Sequence, residues 1–188
     1  MSTTDLIIEE RSRDIGNFLV GRLLPFAKKR MVGPFIFIDH MGPTTIGPGR
    51  YMDVDQHPHI GLSTLTYLFE GEILHRDSLG SEQLITPGDV NWMTAGKGVV
   101  HTERTPVAQR DGKKYQSHGY QIWVALPQEL ENMEPEFQHV AKSNLPAWQQ
   151  DNLDFTLIAG NAYGYQSPVP VHSDLFMLKL EARKNTRL

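Results

Sequence analysis

Short apolar runs, each closed by residues that break regular structure, recur at roughly ten-residue intervals through most of this chain, and that rhythm points to an all-β fold. The runs include Gly33 to Asp39 (GPFIFID), Ser63 to Phe69 (STLTYLF), Asp89 to Met93 (DVNWM), Val99 to Thr105 (VVHTERT) and Tyr120 to Ala125 (YQIWVA). Gly71-Glu72, Pro87-Gly88-Asp89 and Gly96-Lys97-Gly98 lie between them and carry turn chemistry. Many short strands with regular turns build a sandwich or a barrel. The 188 residues are long for one small β domain and short for two, and 39% hydrophobic residues suffice for a packed core.

From 126 to 152 the strand pattern stops. The segment is polar, with Pro127, Pro135 and Pro146, and reads as a surface connector with a turn or two of helix at most. Strand character resumes at Asp154 to Gly160 and Leu175 to Glu181, and the chain closes on the polar ARKNTRL.

Charge and composition narrow the function classes. A net charge of −4 gives no electrostatic reason to expect nucleic-acid or acidic-membrane binding. No apolar run reaches the length of a membrane span. The start, MSTTDLIIEERSRD, is polar and acidic, unlike a secretory signal, so a cytoplasmic protein is expected. With no cysteine in the sequence, any metal must sit on histidine and carboxylate.

Two pairs of residues supply such ligands. His57-Pro58-His59 and His101-Thr102-Glu103 share the i, i+2 spacing. On a strand, that spacing puts both side chains on one face, roughly 6–7 Å apart. The stretch from His59 to His101 leaves room for two or three strands to bring the pairs together. Three neutral imidazoles and one carboxylate suit Fe(II), Mn(II), Ni(II), Cu(II) or Zn(II). A lone pair of either kind is as readily two exposed side chains, and two pairs inside strand patterns bring the readings level.

The chain resembles the pirin family of cupins, and the resemblance decides between them. It is carried by Phe35 to Pro43 (FIFIDHMGP), His57 to Gly61 (HPHIG), Thr66 to Gly71 (TYLFEG) and, above all, Pro87 to Glu103 (PGDVNWMTAGKGVVHTE). It implies a cupin-type β-barrel of the jelly-roll kind over residues 1–125, a connector at 126–152, and an incomplete second cupin barrel at 153–188. It implies that His57, His59, His101 and Glu103 hold one divalent transition metal ion, Fe(II) first, with Cu, Ni, Mn, Co or Zn as alternatives. The implied activity is that of quercetin 2,3-dioxygenase, cleaving a flavonol with dioxygen and using Glu103 as the catalytic base. The other activity implied is a metal- and redox-sensing regulatory binding protein. The strands of the incomplete second barrel present an apolar face with Leu157, Ile158, Leu175, Phe176 and Leu178, expected either to pack on the first barrel or to pair with another chain in a homo-oligomer, and the short length leaves open a truncation or a natural design.

Ser63 stands where many cupins carry a glutamate, so a carboxylate near the substrate is expected to be missing. The remaining histidines are expected to matter less at the ion: His75 has a pocket role only as the lesser reading, His40 is placed on a surface loop beside Asp39 with the pocket mouth as the lesser reading, and His118, His139 and His172 are placed on the surface or linker. Trp92 and Met93 are expected in the core and pocket wall, and Pro58 marks an edge or bulged strand.

Overall fold

The computed structural model describes residues 6–16 and 18–183; the polar closing residues 184–188 lie outside that range. Its strands are Arg11–Asp14 (β1), Leu19–Leu24 (β2), Phe35–Ile46 (β3), Asp53–His59 (β4) and Leu62–Glu70 (β5). Then come Ile73–Asp77 (β6), Glu82–Ile85 (β7), Val90–Thr94 (β8), Val99–Arg104 (β9) and Tyr115–Ala125 (β10). Glu136–Val140 (β11), Ala147–Gln150 (β12), Leu153–Ala162 (β13), Tyr165–Gln166 (β14) and Phe176–Ala182 (β15) complete the set. Among the described residues, no helix is long and apolar enough to cross a membrane.

A seven-stranded sheet, ordered β1-β2-β3-β10-β5-β8-β11, forms the middle layer. Its strands β5 and β8 are buried on both faces, which is why they read as unbroken apolar runs. Leu65 and Tyr67 on β5 join Trp92, Ile122 and Val124 in one cluster, which continues into Val140, Leu145, Ile158 and Val169. Leu68, on the opposite face of β5, joins Val20, Met41, Met52, Ile73 and Ile85 in a second cluster beneath a four-stranded sheet, β4-β9-β6-β7. Each large apolar side chain so enclosed contributes about 1.5–3 kcal/mol relative to exposure. The two sheets face each other as an open-edged sandwich. All seven stretches read as strands from the sequence lie within or overlap β3, β5, β8, β9, β10, β13 and β15.

The residues expected to open a second barrel lie in a small sheet in which β12 and β15 flank β13, with β14 at its far end. Tyr163 and Phe176 are exposed there. The 126–152 segment differs from the expected connector. It carries β11, which pairs with β8 from Glu136↔Thr94 to Val140↔Val90, and β12, which pairs with β13. Edge strands are recruited by main-chain hydrogen bonds, so a polar sequence with half its side chains in water conceals them. His40 also departs from expectation: it lies within β3, opposite Tyr120, rather than on a loop.

The turn between β8 and β9 sets the position of the second candidate pair, His101 and Glu103. Gly96 has φ +49°, its carbonyl accepts from Gly61 N–H at 2.8 Å, and a Cβ there would collide with the Met133 carbonyl. Only glycine satisfies both the backbone angle and that approach.

Candidate metal centre

β4 is the edge of its sheet, and its pairing with β9 is shifted by a bulge between Val54 and His57. Past the bulge, His57 lies opposite His101 and His59 opposite Val99. Pro58, which cannot donate to a ladder, therefore stands on the bulged edge strand that its chemistry predicts. The imidazoles converge: Nε2 of His101 is 3.0 Å from Nε2 of His57 and 3.1 Å from Nε2 of His59.

That cluster fits an ion. One ring nitrogen offers either one proton or one lone pair, so Nε2 of His101 cannot hydrogen-bond to both neighbours at once. A shared cation satisfies all three lone pairs. Two nitrogens each 2.0–2.1 Å from one ion at right angles stand about 3 Å apart. The charge state agrees. Burial, followed by the neighbouring His57 and His75, brings His101 down to about 3. Burial, followed by His101 and His57, brings His59 down to about 4. Both rings are therefore neutral near pH 7, the form a metal requires.

Glu103 stands beside this cluster rather than within it. Its carboxylate lies within 4.8 Å of ring nitrogens of His101 and His75, whereas His57, His59 and His101 form a separate group of that span. Its Oε1 accepts a hydrogen bond from Thr66 Oγ1 at 3.0 Å, and Gln121 contacts the same hydroxyl at 2.9 Å. It nevertheless lines the same cavity as His57 and His59, a space of about 250 Å³. Phe37 and Trp123 form one wall, stacked at 4.0 Å between centroids, with Trp123 edge-on to His59. Arg22 and Asp39, paired through two 2.8 Å bonds, complete the polar part of the lining.

Several expectations are corrected or sharpened here. Trp92 and Met93 are core residues and do not line the cavity. Ser63 is fully buried, bonds Thr94 through its hydroxyl and is not part of the lining, so its replacement of a glutamate removes nothing from this cavity. His118 bonds Nε2 of His40 at 3.0 Å, and His139 bonds Asn91 at 2.8 Å, both away from the cluster. His75 is buried behind His101, with Nδ1 to Nδ1 at 3.4 Å, and its Nε2 is 3.0 Å from Asp77 Oδ2. Thr66, Gln121, Arg22, Phe37, Trp123 and Asp77 were not singled out from the sequence. For Asp77 a signal existed, because His75-Arg76-Asp77 repeats the i, i+2 spacing of the other two pairs.

The Pirin family model matches residues 17–124, which hold both candidate ligand pairs. The chain belongs to the pirin family. A pirin-like protein of Caulobacter vibrioides is 53% identical over 94% of this chain and 62% of its own length. Pirin of Rattus norvegicus is 32% identical over 89% of the chain and 54% of its own. The crystal structure of a quercetin 2,3-dioxygenase from Acinetobacter baumannii superposes with a TM-score of 0.85 at 44% identity, covering 93% of this chain and 56% of that one. This pirin chain thus spans between half and two thirds of the length of these relatives.

Proposed function

We propose that this pirin is a metal-dependent dioxygenase that cleaves a flavonol such as quercetin at a mononuclear centre formed by His57, His59, His101 and Glu103. The observation that carries the reading is the convergence of three Nε2 atoms at 3.0 and 3.1 Å on a cavity that also holds a carboxylate and a stacked aromatic wall. Its likeness to the Acinetobacter baumannii quercetin 2,3-dioxygenase supports the substrate class. Fe(II) is the first choice of ion, and Cu, Ni, Mn, Co and Zn also suit the donor set. When bound, the ion supplies Lewis-acid polarisation of a hydroxyl and redox chemistry with dioxygen.

The chain's own groups do the rest. Glu103 is placed to take the flavonol 3-hydroxyl proton as general base, while the Thr66 hydroxyl holds its Oε1 and leaves the other oxygen available. Phe37 and Trp123 offer a flat apolar face to an aromatic ring. Met41, Met52 and Ile73 line the cavity and exclude water. At about 250 Å³ the space is just below the ~300–1,000 Å³ usual for drug-sized ligands, so the reacting rings enter and the remainder faces outward.

The test is metal analysis of freshly purified protein, followed by an aerobic quercetin assay on the same sample. Loss of the flavonol absorption band should depend on oxygen and stop on chelation. Glu103→Gln should lower turnover more than metal content. Metal-replete protein that turns over no flavonol would replace this reading with a metal- and redox-sensing regulatory role.

A further inference from the structure

Behind His101 lies a second line of buried polar groups that the proposed chemistry does not use. β6 runs antiparallel to β9, with His75 opposite Glu103 and Asp77 opposite His101. His75 and Asp77, two residues apart on that strand, share a face. The Asp77 side chain is wholly enclosed, and its Oδ1 accepts the backbone N–H groups of Leu79 and Ser81 at 2.9 and 3.0 Å. The His75 ring is stacked on Phe137 of β11, 4.4 Å between centroids and 16° between planes, so it is held against rotation from the other side.

We propose that Asp77 and His75 are positioning residues that lock His101 into the one tautomer able to bind an ion, with its proton on Nδ1 and its lone pair on Nε2. The inference rests on the reading of His101 as a ligand.

Each step follows from what the preceding group can donate. Burial would raise the Asp77 carboxyl, but hydrogen bonds from His75 and Ser81 outweigh it and hold the group below its ordinary range. It is therefore a carboxylate, which only accepts. The His75 nitrogen facing it at 3.0 Å, Nε2, must carry a proton. In the neutral ring this leaves Nδ1 bare, and that bare nitrogen faces Nδ1 of His101 at 3.4 Å. His101 must then donate from Nδ1, which turns the Nε2 lone pair toward His57 and His59. A carboxylate commonly sets a ligand histidine directly; here it does so through a second imidazole.

The inference gives Asp77→Asn a direction. The asparagine oxygen can keep the two turn hydrogen bonds, while its –NH₂ faces Nε2 of His75 and forces that nitrogen to accept. The chain of protons reverses, and His101 presents N–H to the cluster. His75→Phe instead keeps a ring against Phe137 and leaves Nδ1 of His101 without a partner.

The experiment titrates Zn(II), which is redox-inert, against a competing chelator in the wild type, Asp77→Asn, His75→Phe and His101→Ala. It also reads the ring-nitrogen signals of ¹⁵N-histidine-labelled metal-free protein. Asp77→Asn should bind Zn(II) about 10–100-fold more weakly, His75→Phe should lose less, and the His101 ring proton should move from Nδ1 to Nε2 only in the asparagine variant. If that variant binds like the wild type with the proton still on Nδ1, while His101→Ala fails to bind, the proposal is wrong and the metal site stands. Equal losses in both variants accompanied by equal falls in melting temperature would mean a purely structural role and overturn it as well. If His101→Ala binds as tightly as the wild type, the ligand reading itself fails and takes this proposal with it.

Discussion

Acidifying the metal-free protein from pH 7 to pH 5 should cost it about 2 kcal/mol of stability through His101 alone. In the unfolded chain this ring takes up a proton near its ordinary value of 6.5, whereas burial and its neighbours hold the folded ring to about 3. Below pH 6.5 the unfolded state therefore binds more protons than the native state. Stability is unaffected above that point and is lost as pH falls toward the folded value. At pH 5 the unfolded ring is almost fully charged and the folded one neutral, which yields the figure above. His59 acts in the same direction, but the cavity lets water screen it, so its share is smaller. For a chain of this length 2 kcal/mol corresponds to about 4–8 °C in melting temperature. The assay is thermal or urea unfolding with chelator at pH 7 and pH 5, comparing the wild type with His101→Asn, which cannot titrate. The variant's loss over this interval should be smaller by about 2 kcal/mol. Equal losses in the two proteins would refute the claim that the fold keeps this ring uncharged.

Three further outcomes are expected. Replacing His59 or His101 with Ala should lower metal affinity by more than the ~10–100-fold that loss of a supporting partner costs, and elemental analysis showing unchanged metal content in both would remove them from the ligand set. Gly96→Ala should destabilise the chain by more than about 1 kcal/mol, because it meets both a positive φ and the Met133 carbonyl, and a melting curve matching the wild type would contradict that. Exposed Tyr163, Tyr165, Phe176 and Leu180 on or beside the small sheet should drive concentration-dependent self-association, which a clean monomer in size-exclusion with light scattering at high concentration would exclude.

What could be read from the sequence depended on which faces were buried. β5 and β8 announce themselves because both of their faces are enclosed. β1 and β12 expose most of their side chains and β7 half of them, and all three hold to their neighbours by main-chain hydrogen bonds, which leave no trace in residue type. Strand geometry puts His57 with His59 and His101 with Glu103, and only the resemblance to the pirin family joined the two pairs; the approach of His101 to His57 depends on the pairing of β4 with β9. The partner of Glu103 was not legible, since Thr66 reaches it from β5, and Gln121 reaches Thr66 from β10, through pairings that no local pattern encodes. The stacked wall of Phe37 and Trp123 was hidden for the same reason: the two residues are neighbours only because β3 and β10 pair in that register.

The double burial of β5 also bears on which genetic lesions this chain can survive. Thr66 supports the carboxylate on one side of the strand, while Leu65 and Tyr67 fill the cluster on the other. Inserting or deleting one codon between 63 and 68 would exchange the two sets, sending a hydroxyl into the apolar cluster and an apolar side chain against Glu103. The support of the Glu103 carboxylate and the folding would fail together, and no single compensating substitution could restore both. The loop around Gly112 has no such coupling, since residues 111–114 are exposed and nothing lies near a Cβ there. Length variation in such a chain should therefore collect at that loop and be absent from β5.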